Sequence, residues 1–376
     1  LEPLETRIAL AVDLMAIQVD ALATRATVGQ PVAISTTVKN GGTTASGSFT
    51  VEYRLSLDST ITATDLLLGS TTWTSLAGGV QTTSTANLTV PSSIPHGDYR
   101  VGVIVKPNII YPDTNSTNNT AADSTATEVL STSLTGSVSY AGIAKTVSIR
   151  SAAGATTPIY DDVPTWIVIH GRNSSPTSSN LVALAQSIDG YRTGDQVLVL
   201  DWSNAAASGL LGGSGENYIK PVATWAASVL TTYGLDGGEI NLAGHSWGAY
   251  VAAELAERVP GAAVDSIIAL DPAADYPGGS YNPTATGEVD FARNSNYSWS
   301  FYANGGSFGT ATTARTADEA IVVNGSDHSK LVNVFASLVS YSYAASTASA
   351  AQVGSAFQLD RLLNATPSSL WVANQY

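Results

Sequence analysis

One short segment, residues 244–248, places a serine between two glycines in the pattern Gly-x-Ser-x-Gly. An apolar stretch at residues 239–243 precedes it, and a helical stretch begins at Ala249. A serine held in a sharp turn between a strand and a helix can expose its hydroxyl as a nucleophile, and a side chain on either glycine would obstruct that turn. The segment therefore predicts a nucleophilic Ser246. A turn serine that merely enters a helix is the alternative.

A nucleophilic serine needs a base, and the chain has only four histidines: His96, His170, His245 and His328. His96 lies in a turn far upstream, in a part of the chain that we assign to a separate domain. His170 ends a predicted strand, and His245 lies inside the glycine-flanked turn, where it points away from Ser246. His328 is therefore the candidate base by elimination.

The third partner should be a carboxylate that orients the imidazole and stabilises its protonated form. Asp271 ends the apolar run at residues 266–270, which is the next predicted strand after Ser246. The carboxyl ends of neighbouring parallel strands meet at one edge of a sheet, so Asp271 and Ser246 should lie together. A strand-end aspartate that only caps a loop is the alternative. The rival carboxylates are Asp290, Asp318 and Asp327, of which the last adjoins His328 and would have difficulty reaching around to its ring.

These residues resemble the pancreatic-lipase-like family of α/β-hydrolases. Four segments occur in the order and approximate spacing of that family: WIVIHG at 166–171, VLVLDW at 197–202, GHSWG at 244–248 and ALDPA at 269–273. The resemblance covers roughly residues 137–346. It implies that Ser246, Asp271 and His328 form a catalytic triad, with an oxyanion hole made by the backbone amides of Arg172 and Trp247. The family usually has an apolar residue where this chain has Arg172.

The resemblance implies a secreted carboxylic-ester hydrolase, a lipase or esterase acting on triacylglycerols or other lipid esters without a cofactor or metal. A phospholipase A1 or a polyester hydrolase of the cutinase type is the alternative among enzymes. A surface-binding or adhesion protein with an inert hydrolase fold is the alternative of another class. The chain has no cysteine, so it cannot form the disulfide-closed lid of the vertebrate lipases. We therefore expect an open, esterase-like site.

Aromatic residues near the predicted site are candidates for binding the substrate. The main candidates are Trp202, Trp299 and Phe301, and further ones are Trp247, Tyr281, Tyr302 and Phe308. The alternative for each of them is ordinary packing in a hydrophobic core.

Residues 1–130 show the strict alternation of apolar and polar residues that is typical of half-buried β-strands. Clear examples run through 32–38, 49–57 and 99–105, and glycine-containing turns separate them. We predict an immunoglobulin-like β-sandwich. Its sequence resembles the CARDB-type, adhesion-related modules of bacterial surface and secreted proteins, in segments 38–42, 53–58 and 113–119. We interpret Asp58 and Asp65 as solvated loop carboxylates rather than calcium ligands, and expect a spacer or anchor that contacts a surface, a carbohydrate or a protein.

Residues 131–376 alternate between apolar strands and helices, which indicates an α/β fold with a mostly parallel sheet covered on both faces. The predicted strands include 166–170 and 196–202, and the predicted helices include 179–188 and 218–233. The polar stretch at 120–135 is predicted to be a hinge between the two domains. The expected architecture is therefore an α/β-hydrolase catalytic domain preceded by an all-β sandwich.

Composition narrows the class of partner. The chain has 376 residues and a formal net charge of −14, which disfavours nucleic acids and anionic membranes. No apolar run approaches the ~20 residues that a bilayer span requires. The sequence does not begin with a start methionine and a basic leader, so we expect a mature chain. The polar surface composition and the low lysine content favour a secreted or cell-surface bacterial protein.

Overall fold

The computed structural model describes residues 11–207, 215–274, 281–283, 288–303, 309, 311–324, 326–347 and 372–374. The chain divides into two compact units, Leu1–Thr132 and Ser133–Tyr376. The described residues of the first unit pack around one hydrophobic core, and those of the second unit form two, one on each face of its sheet. Among the described residues, no helix is both long and apolar enough to cross a lipid bilayer.

The first unit is a sandwich of two sheets. Its strands are β1 (Leu14–Ala21), β2 (Arg25–Thr27), β3 (Pro31–Asn40), β4 (Phe49–Ser56), β5 (Leu66–Trp73), β6 (Gln81–Thr89), β7 (Gly97–Lys106), β8 (Thr120–Ala122) and β9 (Thr127–Leu130). One sheet has the order β1-β3-β6, and the other has the order β2-β9-β7-β4-β5, with β8 paired to β7. The alternation read from the sequence is confirmed, because the side chains of Val51, Tyr53, Val101 and Val103 are buried between the sheets.

The second unit contains one large sheet and six α-helices in its described residues. Its strands are β10 (Ser133–Tyr140), β11 (Ile143–Ser151), β12 (Thr165–Ile169), β13 (Gln196–Asp201), β14 (Ile240–His245), β15 (Val264–Leu270), β16 (Ser295–Ala303), β17 (Glu319–Asn324) and β18 (Val372–Asn374). Its helices are α1 (Ser179–Tyr191), α2 (Ser203–Ala206), α3 (Ile219–Tyr233), α4 (Trp247–Arg258), α5 (Ala311–Ala314) and α6 (Lys330–Thr347). The strand order is β10-β11-β13-β12-β14-β15-β16-β17-β18.

All strands from β13 to β18 in that order run parallel, and only β10 and β11 are antiparallel to their neighbours. Residues along the central strands are buried on both faces. Ile167 and Leu242 pack in the core that contains helices α3 and α4, whereas Val168 and Ala243 pack in the core that contains α1 and α6. This two-sided burial explains why the strands are continuously apolar. The predicted α/β architecture with an N-terminal β-sandwich is confirmed.

The polar stretch at 120–135 differs from its prediction as a hinge. It carries β8, β9 and the beginning of β10, each of which pairs with a neighbouring strand. Threonine and valine are β-branched and fit strands well, even where one face of the strand is exposed to water. Polar composition alone was therefore a poor indicator of a linker.

Candidate active site

Ser246 lies in the turn between β14 and α4, at the carboxyl edge of the sheet. Its backbone has φ 57° and ψ −122°, a region that costs a non-glycine residue on the order of 1–3 kcal/mol. A Cβ on Gly244 would overlap the carbonyl oxygen of Gly248, and a Cβ on Gly248 would overlap that of Ile169. Both glycines are thus required by close approach of backbone, as the sequence pattern predicted.

The alternative explanation for Ser246 was a residue that caps a helix. Within the described part of α4, the side chain of Ser246 makes no capping hydrogen bond, although the residue occupies the N-cap position. The hydroxyl is therefore not used to complete the helix. Strained backbone conformations of this kind are concentrated at functional sites, where the surrounding structure maintains them.

Asp271 follows β15 directly and lies at the same edge as Ser246. The two strands are parallel neighbours with His245 opposite Leu270, and the amide of Ser246 donates to the carbonyl of Leu270 at 3.0 Å. The carboxylate of Asp271 is fully buried. Its Oδ2 accepts a hydrogen bond from Nδ1 of His328 at 2.6 Å, and its Oδ1 accepts one from the amide of Ala303 at 2.9 Å. The carboxylate thereby connects the histidine to the end of β16.

His328 lies just before helix α6, and its side chain is 22% exposed. The adjacent Asp327 is turned toward the helix instead of the imidazole. Its Oδ1 accepts hydrogen bonds from the amides of Lys330 and Ser329, at 2.9 and 3.1 Å. The hydrogen bond from the Lys330 amide, followed by those from the side chains of Lys330 and Ser329, lowers the pKa of Asp327 to about 2. Asp327 therefore serves as the N-terminal cap of α6.

The two other rival aspartates have structural partners of their own. Asp318 accepts hydrogen bonds from the amide and the hydroxyl of Ser298, both at 2.8 Å. Asp290 accepts one from the amide of Arg293 at 3.2 Å. Of the four aspartates considered, Asp271 is the one that the structure brings to the ring of His328.

Two further histidines surround the site. Nδ1 of His170 donates to the carbonyl of Gly171 at 2.9 Å, and its Nε2 accepts from the amide of Trp202 at 3.2 Å. His245 is buried, and its Nε2 lies 2.8 Å from the carbonyl oxygen of His328. Burial, followed by the charge of His328, lowers the pKa of His245 to about 4. The sequence predicts that His245 points away from Ser246, but no sequence signal identifies its partner.

The segment predicted to supply an oxyanion donor lies against the serine. A Cβ on Gly171 would come within 2.7 Å of the Cβ and 3.2 Å of the Oγ of Ser246. The backbone of Gly171 therefore lies against Ser246, and Arg172 is the next residue in the chain. Trp247 is the first residue of α4, where the amide has no acceptor within the helix and the helix dipole favours negative charge. The guanidinium of Arg172 lies 5.4 Å from the centre of the Trp247 ring.

Glu216 is buried close enough to Arg172 for the two charges to interact. Desolvation raises the pKa of Glu216, and the positive charge of Arg172 opposes that rise. Arg172 is the residue that departs from the pattern of the resembled family. Its side chain lies beside the ring of Trp247 and interacts with the charge of Glu216.

The aromatic residues predicted to bind substrate are packed inside the protein. Trp202 has no exposed surface, stacks on His170 and donates through Nε1 to its carbonyl at 2.8 Å. Trp299 and Phe301 are also fully buried and pack in the core with Phe335 of α6. Tyr281, Tyr302 and Trp247 are mostly buried, and Phe308 lies outside the described residues. Among the described residues, these contacts support packing, and a role in substrate binding remains a prediction.

Sequence reasoning missed two contacts that fix the acid. The amide of Ala303 holds the second oxygen of Asp271, and the hydroxyl of Tyr250 in α4 donates to the carbonyl of Ala273, two residues after the acid. A backbone donor such as the Ala303 amide leaves no signature in residue type. Tyr250 lies four residues after Ser246 on the same helix face, so only its spacing hinted at a position near the site.

In the first unit, the loop carboxylates cap their own turns. Asp58 accepts a hydrogen bond from the amide of Thr60 at 2.6 Å, and Asp65 accepts one from the amide of Thr62 at 2.6 Å. Aspartates commonly stabilise loops in this way. The arrangement agrees with their interpretation as loop residues.

Comparisons with known proteins address the two units separately. Residues 11–123 match the CARDB family model. The comparison with curated proteins found no significant match. The chain is similar to the CARDB domain of a Pyrococcus furiosus protein solved in complex with di-metal ions, with 21% identity and a TM-score of 0.24 over 32% of this chain and 90% of that chain.

Two further solved structures are similar to the second unit's part of the chain. One is an esterase from Pyrobaculum calidifontis, with 13% identity and a TM-score of 0.38 over 57% of this chain and 84% of that chain. The other is an α/β serine hydrolase without a lid from Xanthomonas campestris, with 15% identity and a TM-score of 0.34 over 55% and 91%. The predicted CARDB domain is confirmed for residues 11–123. The predicted α/β-hydrolase fold agrees with the sheet topology described above.

Proposed function

We propose that the second unit hydrolyses carboxylic esters through a covalent acyl-serine intermediate. Ser246 is the nucleophile, His328 is the general base and acid, and Asp271 orients the imidazole. The observation that carries this proposal is the 2.6 Å hydrogen bond between a fully buried Asp271 and Nδ1 of His328, at the sheet edge where Ser246 adopts its strained turn.

The chemistry follows from which nitrogen each partner uses. Asp271 accepts a hydrogen bond from Nδ1 of His328, so Nδ1 carries the hydrogen. Nε2 of His328 is then the nitrogen that takes the proton of Ser246. As that proton leaves, the Oγ of Ser246 bonds to the ester carbonyl carbon. The tetrahedral intermediate then collapses, its bond to the alcohol oxygen breaks, and His328 returns the proton to the departing alcohol. Water repeats the sequence on the acyl-serine and releases the carboxylic acid.

The amides of Arg172 and Trp247 are proposed to hold the oxyanion. Support comes from the contact of Gly171 with Ser246 and from the position of Trp247 at the start of α4. Preorganised backbone donors of this kind cost no reorganisation when negative charge develops, and losing one typically lowers the rate by about 10²–10³-fold. The side chain of Arg172 is not needed for this role, because the donor is its backbone amide.

The proposed substrate class rests on the resemblance of the sequence motifs to the pancreatic-lipase-like family. We favour lipid or other apolar carboxylic esters, with a phospholipase A1 or a polyester hydrolase as alternatives that would use the same triad. We also propose that the protein is secreted or displayed at the cell surface, where the CARDB domain would anchor it to a surface, a carbohydrate or another protein. A net charge of −14 supports a neutral substrate surface over an anionic one.

The test is a series of p-nitrophenyl esters of increasing acyl length, assayed with the wild type and with Ser246→Ala. We expect the alanine variant to lose at least ~10³-fold in kcat and to stop reacting with a fluorophosphonate label. Ser329→Ala, in the exposed loop beside His328, is the matched control and should keep its activity. Activity or labelling that persists in Ser246→Ala would refute the mechanism. A wild type inert on every ester would favour an adhesion protein with an inert hydrolase fold.

A further inference from the structure

His245 is a buried histidine that the proposed mechanism does not use. It ends β14 and immediately precedes Ser246, and only 8% of its surface is exposed. Its Nε2 lies 2.8 Å from the main-chain carbonyl oxygen of His328. A carbonyl can only accept, so Nε2 must carry the hydrogen. The residue next to the nucleophile in sequence is therefore hydrogen-bonded to the residue that supplies the base, 83 positions along the chain.

The two imidazole rings are also in direct contact. Their centres are 4.8 Å apart and their planes are inclined by 43°. The titratable groups whose charges act on His245 are His328, Asp271 and His170. Burial and the charge of His328 together lower its pKa to about 4, so the ring is neutral at neutral pH. A neutral donor can hold the loop of the base without placing a second positive charge against the imidazolium that forms during catalysis.

We propose that His245 is a positioning residue for the general base, and that its Nε2–H holds the main chain of His328 at the distance from Ser246 and Asp271 that proton transfer requires. The inference rests on the proposed function and deepens it. His328 precedes helix α6, and its backbone at the described positions 326–329 is not part of a strand. The hydrogen bond from His245 ties this segment to the central strand β14, which leads directly into the nucleophile. Displacement of a catalytic group by about 1 Å can cost on the order of 10²-fold in rate.

The alternative is that His245 only fills space in the core. Two amide substitutions separate the explanations. In His245→Gln, the side-chain nitrogen can occupy the place of Nε2 and donate to the carbonyl. In His245→Asn, the nitrogen occupies the place of Nδ1 and falls short of the carbonyl. Both variants are polar and smaller than histidine, and they differ by one methylene group, which sets their reach.

The experiment measures kcat and KM for a short p-nitrophenyl ester, with the full-length wild type and both variants. Active sites are counted by fluorophosphonate labelling, and folding is followed by circular dichroism. We expect kcat per active site to fall about 10- to 100-fold in His245→Asn, with KM changed less than threefold. His245→Gln should remain within about threefold of the wild type.

The split between kcat and KM, together with rescue by glutamine, supplies a readout that a packing role would not move. A displaced base slows proton transfer and leaves substrate binding intact, so the defect in His245→Asn should fall on kcat and be absent from His245→Gln. Equal loss of activity in both variants, or a loss in His245→Asn that falls mainly on KM, would overturn the positioning role.

Ser246→Ala, assayed in parallel, separates this inference from the function on which it rests. An inactive Ser246→Ala together with a fully active His245→Asn would reject only the positioning role. An active Ser246→Ala would reject the proposed mechanism itself. Should the Asn variant fail to fold, the Gln variant alone decides: a folded His245→Gln with kcat reduced more than tenfold contradicts the inference.

Discussion

Replacing Asp271 by asparagine is the sharpest test of the proposed site. The carboxylate accepts two hydrogen bonds, from Nδ1 of His328 and from the amide of Ala303. Asparagine has one oxygen and one NH2 group, so if its oxygen keeps the Ala303 bond, its NH2 faces Nδ1. Nδ1 must then accept, which moves the imidazole hydrogen to Nε2. A protonated Nε2 cannot take the proton of Ser246, so the base is disabled while the shape of the site is preserved.

The expected loss in kcat/KM is about 10³–10⁴-fold, which corresponds to roughly 4–5.5 kcal/mol of transition-state stabilisation at ~1.4 kcal/mol per decade. The free energy of unfolding should change little or rise, because a fully buried charge is replaced by a neutral group. Ester hydrolysis and urea unfolding measure the two quantities. Asp327→Asn is the control, since asparagine also caps helices well and this side chain does not face the imidazole. Retention of more than a tenth of wild-type kcat/KM by Asp271→Asn would refute the role assigned to this carboxylate.

Three further predictions concern stability. Gly248→Ala places a Cβ on the carbonyl oxygen of Ile169 and should lower the free energy of unfolding by about 1–3 kcal/mol or more. The control Gly190→Ala, in open space on helix α1, should raise the free energy of unfolding by about 0.5–1 kcal/mol. Urea titration of both variants checks this. Because the pKa of His245 is lowered to about 4, below its usual 6.5, the unfolded chain binds a proton that the folded protein does not between these values. As pH falls from about 7 to 4, the wild type should therefore lose about 3 kcal/mol more of its unfolding free energy than His245→Gln does; equal pH dependence would contradict the neutral buried ring. Phe301→Ala should cost about 3–5 kcal/mol of stability and leave KM unchanged; a large rise in KM without destabilisation would instead support the predicted contact with substrate.

Local steric rules made part of the site predictable from sequence. The two glycines around Ser246 are required by backbone contacts inside the turn and with β12, and such requirements appear directly as residue types. Asp271 was predictable because a residue that follows an apolar strand must lie at the sheet edge. The predicted helix at 218–233 and strand at 196–202 match α3 and β13 to within a residue or two, since continuous burial leaves a strong apolar pattern.

The substrate-binding predictions show what residue type alone cannot decide. Trp299 and Phe301 lie within β16, and their side chains point to the face covered by α1 and α6. Residue type reports that a side chain is large and apolar, but not whether its neighbour is a helix or a ligand. In a parallel sheet covered on both faces, residues in the middle of a strand face packed helices, while a ligand approaches the strand ends. Aromatic residues inside a strand are therefore expected to form the core.

The position of the base could not be predicted beyond elimination, because His328 reaches the site from beyond β17, two strands away from β15. Three hydrogen bonds connect the base to the rest of the site across this distance. Asp271 bonds both His328 and the amide that ends β16, and His245 at the end of β14 bonds the carbonyl of His328. Two of these three contacts involve main-chain atoms, which every residue possesses and no sequence pattern marks. The chemistry of the site is thus readable from residue types, whereas the geometry that would make it work depends on backbone groups that only the structure reveals.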